Sequence, residues 1–395
     1  MQTVQQLKML SKQYRDALLT DVLPFWQRHS PDTTYGGYFS CLQRDGSVFD
    51  TDKFVWLQGR QVWLFSMLYN QLEAKPEWLD FALSGARFLQ EHGRADDGSW
   101  YFSLTREGQP LVQPYNIFAD CFACQAFGQL YKATGQDVYA DIAATTFRNI
   151  IARQHHPKGS WSKAVAGTRP LKNFALPMIL CNLALEIEHL LDAATVDELT
   201  AQCVHEVLEV FYQPDSGLIL ENVLPDGRFS DSFDGRLLNP GHAIEAMWFI
   251  MDIGARRKDN LLIERAKNIC LQTLAHGCDD TYEGIYYFMD LHGHPPQQLE
   301  WDQKLWWVHL ETLIALLKGY QLTGDEACMQ WFEKVHTYSW SHFADPDYGE
   351  WFGYLNRRGE VLLPLKGGKW KGCYHVPRAL YQCWQTLDKI VGSRV

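Results

Sequence analysis

The sequence predicts an all-α protein, an (α/α)6 barrel of six inner and six outer helices with short β-hairpin loops at the active-site mouth. Three observations lead there. A glycine-led hairpin motif recurs six times at near-constant spacing. Two helical patterns separate successive hairpins. The first helix of each pair is apolar all round and the second is amphipathic, which puts the first inside and the second outside.

The hairpins run from Gly36 to Gly46, Gly98 to Gly108, Gly159 to Gly167, Gly217 to Gly227, Gly284 to Gly293 and Gly349 to Gly359, at intervals of roughly sixty residues. Each starts with Gly before an aromatic or β-rich run, such as Trp100-Tyr101-Phe102 or Leu218-Ile219-Leu220, and closes on a Gly-containing turn. The first helix of each pair begins at or just before Trp56, Tyr115, Phe174, His242, Trp306 and Tyr374. The second covers Trp78–His92, Val138–Arg153, Val196–Phe211, Asn260–His276 and Glu326–Phe343. An amphipathic N-terminal helix supplies the twelfth. The stretch from Phe174 to Leu185 holds no charge, whereas Asn260–Lys267 carries a solvated face. An open helical solenoid would use the same repeats without closing. No linker or low-complexity tract interrupts the chain, so residues 1–395 read as a single (α/α)6-barrel domain.

Composition narrows the function. Of 395 residues, 46% are hydrophobic and 21% charged, with a formal charge of −11. That balance excludes the basic footprint that nucleic acid or an anionic membrane requires. No apolar run approaches the length of a membrane span, and the N-terminal stretch lacks the apolar core of a secretory signal. A cytoplasmic protein is expected. The ten cysteines are scattered; Cys121 and Cys124 form the sole CxxC, within a helical pattern and without a second pair. Free thiols in a reducing compartment are therefore expected, and no metal site. Fifteen Trp, 18 Tyr and 21 Phe are a heavy aromatic load, suited both to core and to the C–H faces of sugars.

In this architecture the inner helices all open at one mouth, so functional residues belong in their first turns. Read in order, these supply Arg60, Tyr115 and Asn116, Asn182 somewhat deeper, His242 and Glu245, Trp306 with Glu311, and His375 with Arg378; Trp370 precedes the last. His242 and His375 lie two repeats apart. Neighbouring helices pack at roughly 10 Å, so second neighbours in a six-membered ring stand about 17 Å apart. Two inward-reaching imidazoles then leave a gap of about one sugar ring, and both can address one carbon. Histidine titrates near neutrality. A pair on opposite sides of a carbon suits removal of a proton from one face and its return on the other, which is epimerisation beside a carbonyl. Arg60 and Arg378 can stabilise the oxyanion formed. Glu245 and Glu311 can orient a histidine or hold hydroxyls, and Trp306 and Trp370 can stack on the sugar. The rival chemistry is a glycosidase carboxylate pair drawn from Glu245, Glu311 and Asp302, which leaves both histidines idle. A binding scaffold without chemistry is the third reading.

The segments Asn239-Pro240-Gly241-His242-x-x-Glu245, Pro295 to Glu311, and Gly372-Cys373-Tyr374-His375-Val376-Pro377-Arg378 resemble the N-acylglucosamine 2-epimerase (renin-binding protein) family over essentially the whole chain. The resemblance implies reversible interconversion of N-acetyl-D-glucosamine and N-acetyl-D-mannosamine through the open-chain sugar. It implies His242 and His375 as the acid/base pair, Arg60 and Glu311 in support, and a homodimer. Cellobiose 2-epimerases and aldose–ketose isomerases of the mannose type share the two histidines, so the chemistry is fixed more firmly than the sugar. The resemblance also implies ATP as an allosteric activator that is not consumed. Between Ile142 and Leu185 there is no acidic residue but six basic ones, and Arg153, Lys158 and Lys163 are where its phosphates are expected. No Walker A motif occurs. A solvated basic loop or a dimer contact would leave the same pattern.

Overall fold

A computed structural model describes residues 3–158, 161–163, 165 and 167–394. The chain opens with α1 (Val4–Asp16) and α2 (Leu23–His29), joined by a π turn at Ala17–Val22 into one outer rod. Pro24, which has no N–H to give, follows that turn. Next come α3 (Val55–Gln71), α4 (Pro76–His92), α5 (Ile117–Thr134) and α6 (Asp137–Arg153). Then follow α7 (Ala175–Glu186), α8 (Ala193–His205, extended by a π turn at Glu206–Phe211), α9 (Pro240–Arg257) and α10 (Asn260–Gly277). Last are α11 (Trp306–Thr323), α12 (Glu326–His342) and α13 (His375–Gly392). From α3 onward the odd-numbered helices are inner and the even-numbered ones outer.

Burial follows that alternation. α11 buries 14 of its 18 residues and α12 only 6 of 17. Inner helices pack in chain order, α3 on α5, α5 on α7, and so on to α11 on α13. The ring closes where Trp63 of α3 meets Tyr374 at the head of α13, ring centroids 5.2 Å apart, and where Tyr381 reaches Gln71. Closure rules out the open solenoid. Gly59 lets α3 approach α5 closely, since a β-carbon there would stand 2.9 Å from the Phe122 backbone.

The hairpins stitch one repeat to the next. The dipeptide before an inner helix pairs antiparallel with the hairpin of the following repeat: Lys53-Phe54 with Ser103-Leu104, Lys172-Asn173 with Asn222-Val223, Leu237-Leu238 with Met289-Asp290, and Lys304-Leu305 with Tyr354-Leu355. The expected third hairpin falls partly outside the described residues, which omit Gly159, Ser160, Ala164 and Ala166. Three of the junctions share one ionic device. A buried lysine meets a buried aspartate, Lys53 with Asp32, Lys304 with Asp279 and Lys366 with Asp345, at 2.9, 3.1 and 2.7 Å. An arginine (Arg106, Arg357 or Arg44) covers each aspartate from outside. Burial alone would raise the Asp279 carboxyl, but hydrogen bonds from Arg357, the Thr281 amide and Lys304 hold it well below the usual carboxylate range. Breaking such a pair leaves an uncompensated charge and costs roughly 3–5 kcal/mol.

All ten cysteines are free, and burial pushes the Cys121 and Cys124 thiols up, away from the reactive thiolate form. Among the described residues no helix is long and apolar enough to cross a membrane.

Candidate active site

A cavity of about 430 Å³ opens at the mouth of the barrel, within the range of small-molecule sites. His242 and His375 both line it, with Trp307 wedged between them at ring-centroid distances of 5.3 and 5.9 Å. Gly241 makes the wedge fit, because a β-carbon there would fall 2.7 Å from the Trp307 ring.

Each imidazole has its own support. His242 sits in the first turn of α9, whose cap Asn239 accepts from the His242 amide at 3.1 Å. Its Nδ1 bonds Glu221 Oε1 at 2.8 Å, so Nε2 is the nitrogen left for chemistry. Burial would lower its pKa, but the charge and hydrogen bond of Glu221 outweigh burial and hold it above the ordinary value. His375 begins α13, and its Nδ1 bonds Glu311 Oε1 at 2.7 Å. Glu311 is fully buried and also accepts from Arg378 at 2.6 Å and Trp248 at 3.0 Å. Its charge is thus already answered by Arg378. Burial, with Arg60 and Arg378 adding repulsion, drives His375 well below its ordinary pKa. The two surroundings push the imidazoles in opposite directions, His242 toward the charged form and His375 toward the neutral one.

Glu245, Glu311 and His375 converge closely enough to hold a metal ion. Arg378 fills that role instead, bonding Glu245 at 2.7 Å as well as Glu311 and using its other terminal nitrogen on Tyr374. The cluster's positive charge is the guanidinium. It also removes both carboxylates from use as a glycosidase acid and base.

Arg60 is built differently. Its guanidinium lies over Phe122, Trp56 and Tyr374 at 3.9, 4.3 and 4.6 Å, and its Nε is buried without a hydrogen bond. Burial brings its pKa down to about 10, which still leaves it charged at neutrality. A buried cation cradled by rings and facing a cavity is ready for an anion. The indole N–H groups of Trp56 and Trp306, both in the cavity wall, are likewise buried without partners.

The expected site residues divide accordingly. His242, His375, Arg60, Glu245, Trp306 and Trp370 line the cavity. Glu311 and Arg378 stand behind His375 and outside the lining, so Arg378 positions carboxylates and does not face an oxyanion. Tyr115 packs on Phe102, ring centroids 5.2 Å apart. Asn116 caps α5 by accepting from the Phe118 amide, and Asn182 accepts from Gln125 at 2.7 Å. None of these three lines the cavity. Of the basic residues expected to meet phosphate, Arg153 pairs with buried Asp120 at 3.0 Å and donates to Ser99, while Lys158 and Lys163 are exposed. Burial still pushes the Asp120 carboxyl up to about 7, against the opposing charge of Arg153. Glu221 was not foreseen. Its signal was a single acid directly after the apolar run Leu218-Ile219-Leu220 in a hairpin facing the mouth.

A second hollow of about 520 Å³ holds one imidazole, His309, whose two nitrogens are taken by the Ile285 amide and the Leu305 carbonyl.

Residues 37–379 match the family described as N-acylglucosamine 2-epimerase. The chain belongs to that family. The N-acylglucosamine 2-epimerase of Mus musculus is 41% identical over 381 residues, covering 94% of this chain and 91% of its own. The cellobiose 2-epimerase of Dictyoglomus turgidum is 24% identical over 402 residues, 97% of this chain and all of its own. Among solved structures, a cellobiose 2-epimerase from Bacillus thermoamylovorans superposes with a TM-score of 0.82 at 20% identity, over 96% of this chain and 99% of that one. That likeness shows the (α/α)6 fold.

Proposed function

We propose that the protein interconverts N-acetyl-D-glucosamine and N-acetyl-D-mannosamine by moving a proton between the two faces of C2 in the open-chain sugar. The observation that carries this is the pair of imidazoles across Trp307, each backed by a separate carboxylate and biased by its surroundings toward opposite forms, His242 toward acid and His375 toward base. In one direction the neutral His375 takes the C2 proton. The C–H electron pair moves into the C1 carbonyl, and the resulting enolate oxygen meets the Arg60 cation. His242 then delivers its proton to the opposite face of C2. Exchange with water restores the starting protonation, and the reverse reaction begins from the opposite state. Trp56 and Trp306 offer their free N–H groups to sugar hydroxyls. The mouse relative's name supports the amino-sugar substrate.

Incubation of N-acetylmannosamine in D2O tests the reading: deuterium is expected at C2 of both epimers, and its absence with and without ATP would overturn it. Cellobiose and mannose, assayed alongside, separate the related 2-epimerase and aldose–ketose isomerase activities. The same reading includes a cytoplasmic homodimer and ATP as an allosteric activator, for whose phosphates the exposed Lys158 and Lys163 remain available while Arg153 is committed to Asp120.

A further inference from the structure

The cavity wall is divided by chemistry. Its guanidinium, imidazole and carboxylate groups, Arg60, His242, His375, Glu245 and Glu300, come from α3, α9, α13 and the loop before α11. The arc built by α5 and α7 consists of Phe118, Phe122, Ala175, Met178 and Ile179, without a polar side chain. The polar groups nearest this arc stand outside the cavity lining. Asn116 and Asn173 accept from the amides of Phe118 and Ala175, at 2.9 and 3.1 Å, and one turn deeper Gln125 donates to Asn182. A sugar hydroxyl pressed here would lose water and gain no partner, weakening binding roughly tenfold or more per group. An apolar substituent suffers no such loss.

Ring order says which substituent arrives there. Both histidines must address C2, so its C–H axis runs between α9 and α13. Trp307, on α11, closes one side of that axis. The remaining groups on C2 lie in the plane between the imidazoles, and α5 stands across the six-membered ring from α11 with α7 beside it. We infer that the α5–α7 arc is an acyl-binding wall, on which Ala175, Met178 and Ile179 receive the alkyl end of a C2 acylamino group and select N-acylated over free hexoses. The inference rests on C2 epimerisation as the reaction.

The experiment measures kcat/KM of the full-length protein and its Ala175→Leu and Met178→Ala variants with N-acetyl-, N-propanoyl- and N-butanoyl-mannosamine and with mannose. Met178→Ala makes room at the wall and should raise the butanoyl-to-acetyl ratio about tenfold, the worth of two further buried methylenes. Ala175→Leu fills the wall from a partly exposed position in the first turn of α7 and should lower the same ratio by a similar factor. Should Met178→Ala fail to fold, Ala175→Leu decides alone. Ratios within twofold of wild type in every folded variant would overturn the acyl wall while leaving epimerisation intact. Absence of C2 deuterium exchange in the wild-type protein would instead overturn the epimerase reading on which it rests.

Discussion

Replacing Glu221 by Gln removes one negative charge and leaves a side chain of nearly equal size beside His242. The substitution weakens a 2.8 Å charge-assisted hydrogen bond between a carboxylate 8% exposed and an imidazole 26% exposed. Hydrogen bonds to charged groups contribute about 1.5–3 kcal/mol, and an amide retains part of that, so a net loss near 1.5–2 kcal/mol is expected. That corresponds to a fall of about ten- to thirtyfold in kcat. The pH profile gives a sharper test. Because Glu221 raises the His242 pKa, the protonated acid is present below that pKa and lost as pH rises through it; this is the alkaline limb. His375 sits well below its ordinary value, so the neutral base is lost only as pH falls through that lower range; this is the acidic limb. Glu221→Gln should move the alkaline limb toward lower pH and leave the acidic limb in place. Profiles of kcat/KM by coupled assay or by C2 deuterium exchange would show it. A variant with near-normal kcat and an unmoved alkaline limb would refute the assignment of Glu221 as the positioning residue of His242.

Arg60→Met should lower kcat by about 10²–10³, the usual cost of losing one donor to a developing oxyanion. Because the guanidinium is buried among rings, the same variant should keep or raise its melting temperature, which differential scanning calorimetry would record. Asp279→Ala leaves the Lys304 ammonium buried and unanswered and should destabilise the fold by about 3–5 kcal/mol in denaturant titrations, with little effect on the kcat of the molecules that remain folded. Lys158→Ala combined with Lys163→Ala should abolish stimulation by ATP while leaving the activity without ATP near wild type. Arg153→Ala should instead act through stability, by leaving Asp120 buried without its partner.

The ring was legible because its signals are local and repeated. Gly36, Gly217, Gly284 and Gly349 all take positive φ at the head of a hairpin, and a side chain with a β-carbon is strained there, so sequence and conformation coincide repeat after repeat. The all-round burial of α11 was equally plain in Trp306 to Leu317. The ionic stitches were not. Nothing in the sequence marks Lys53, Lys304 and Lys366 as buried; each is revealed by an aspartate on the other side of its own hairpin, 21 to 25 residues away.

The active site divides along the same line. First-turn position on an inner helix was enough to place His242, Glu245, Arg60 and His375 at the mouth, because helix starts can be read one at a time. Side-chain direction could not be read that way. Tyr115 and Asn116 also precede or begin an inner helix, yet one turns into an aromatic cluster and the other caps its own helix. What separates the two histidines chemically comes wholly from interactions across elements. Glu221, on a hairpin, is the private partner of His242, whereas Glu311, on α11, is shared between His375 and Arg378. A sequence pairing His242 with His375 therefore predicts a symmetric pair of bases. The fold makes them unequal, and inequality is what a one-proton transfer across C2 requires: two charged imidazoles would leave no base, and two neutral ones no acid. Glu311→Gln, which weakens the hold on His375 without touching Glu221, should disturb the acidic limb of the pH profile and leave the alkaline limb, the opposite of what Glu221→Gln does.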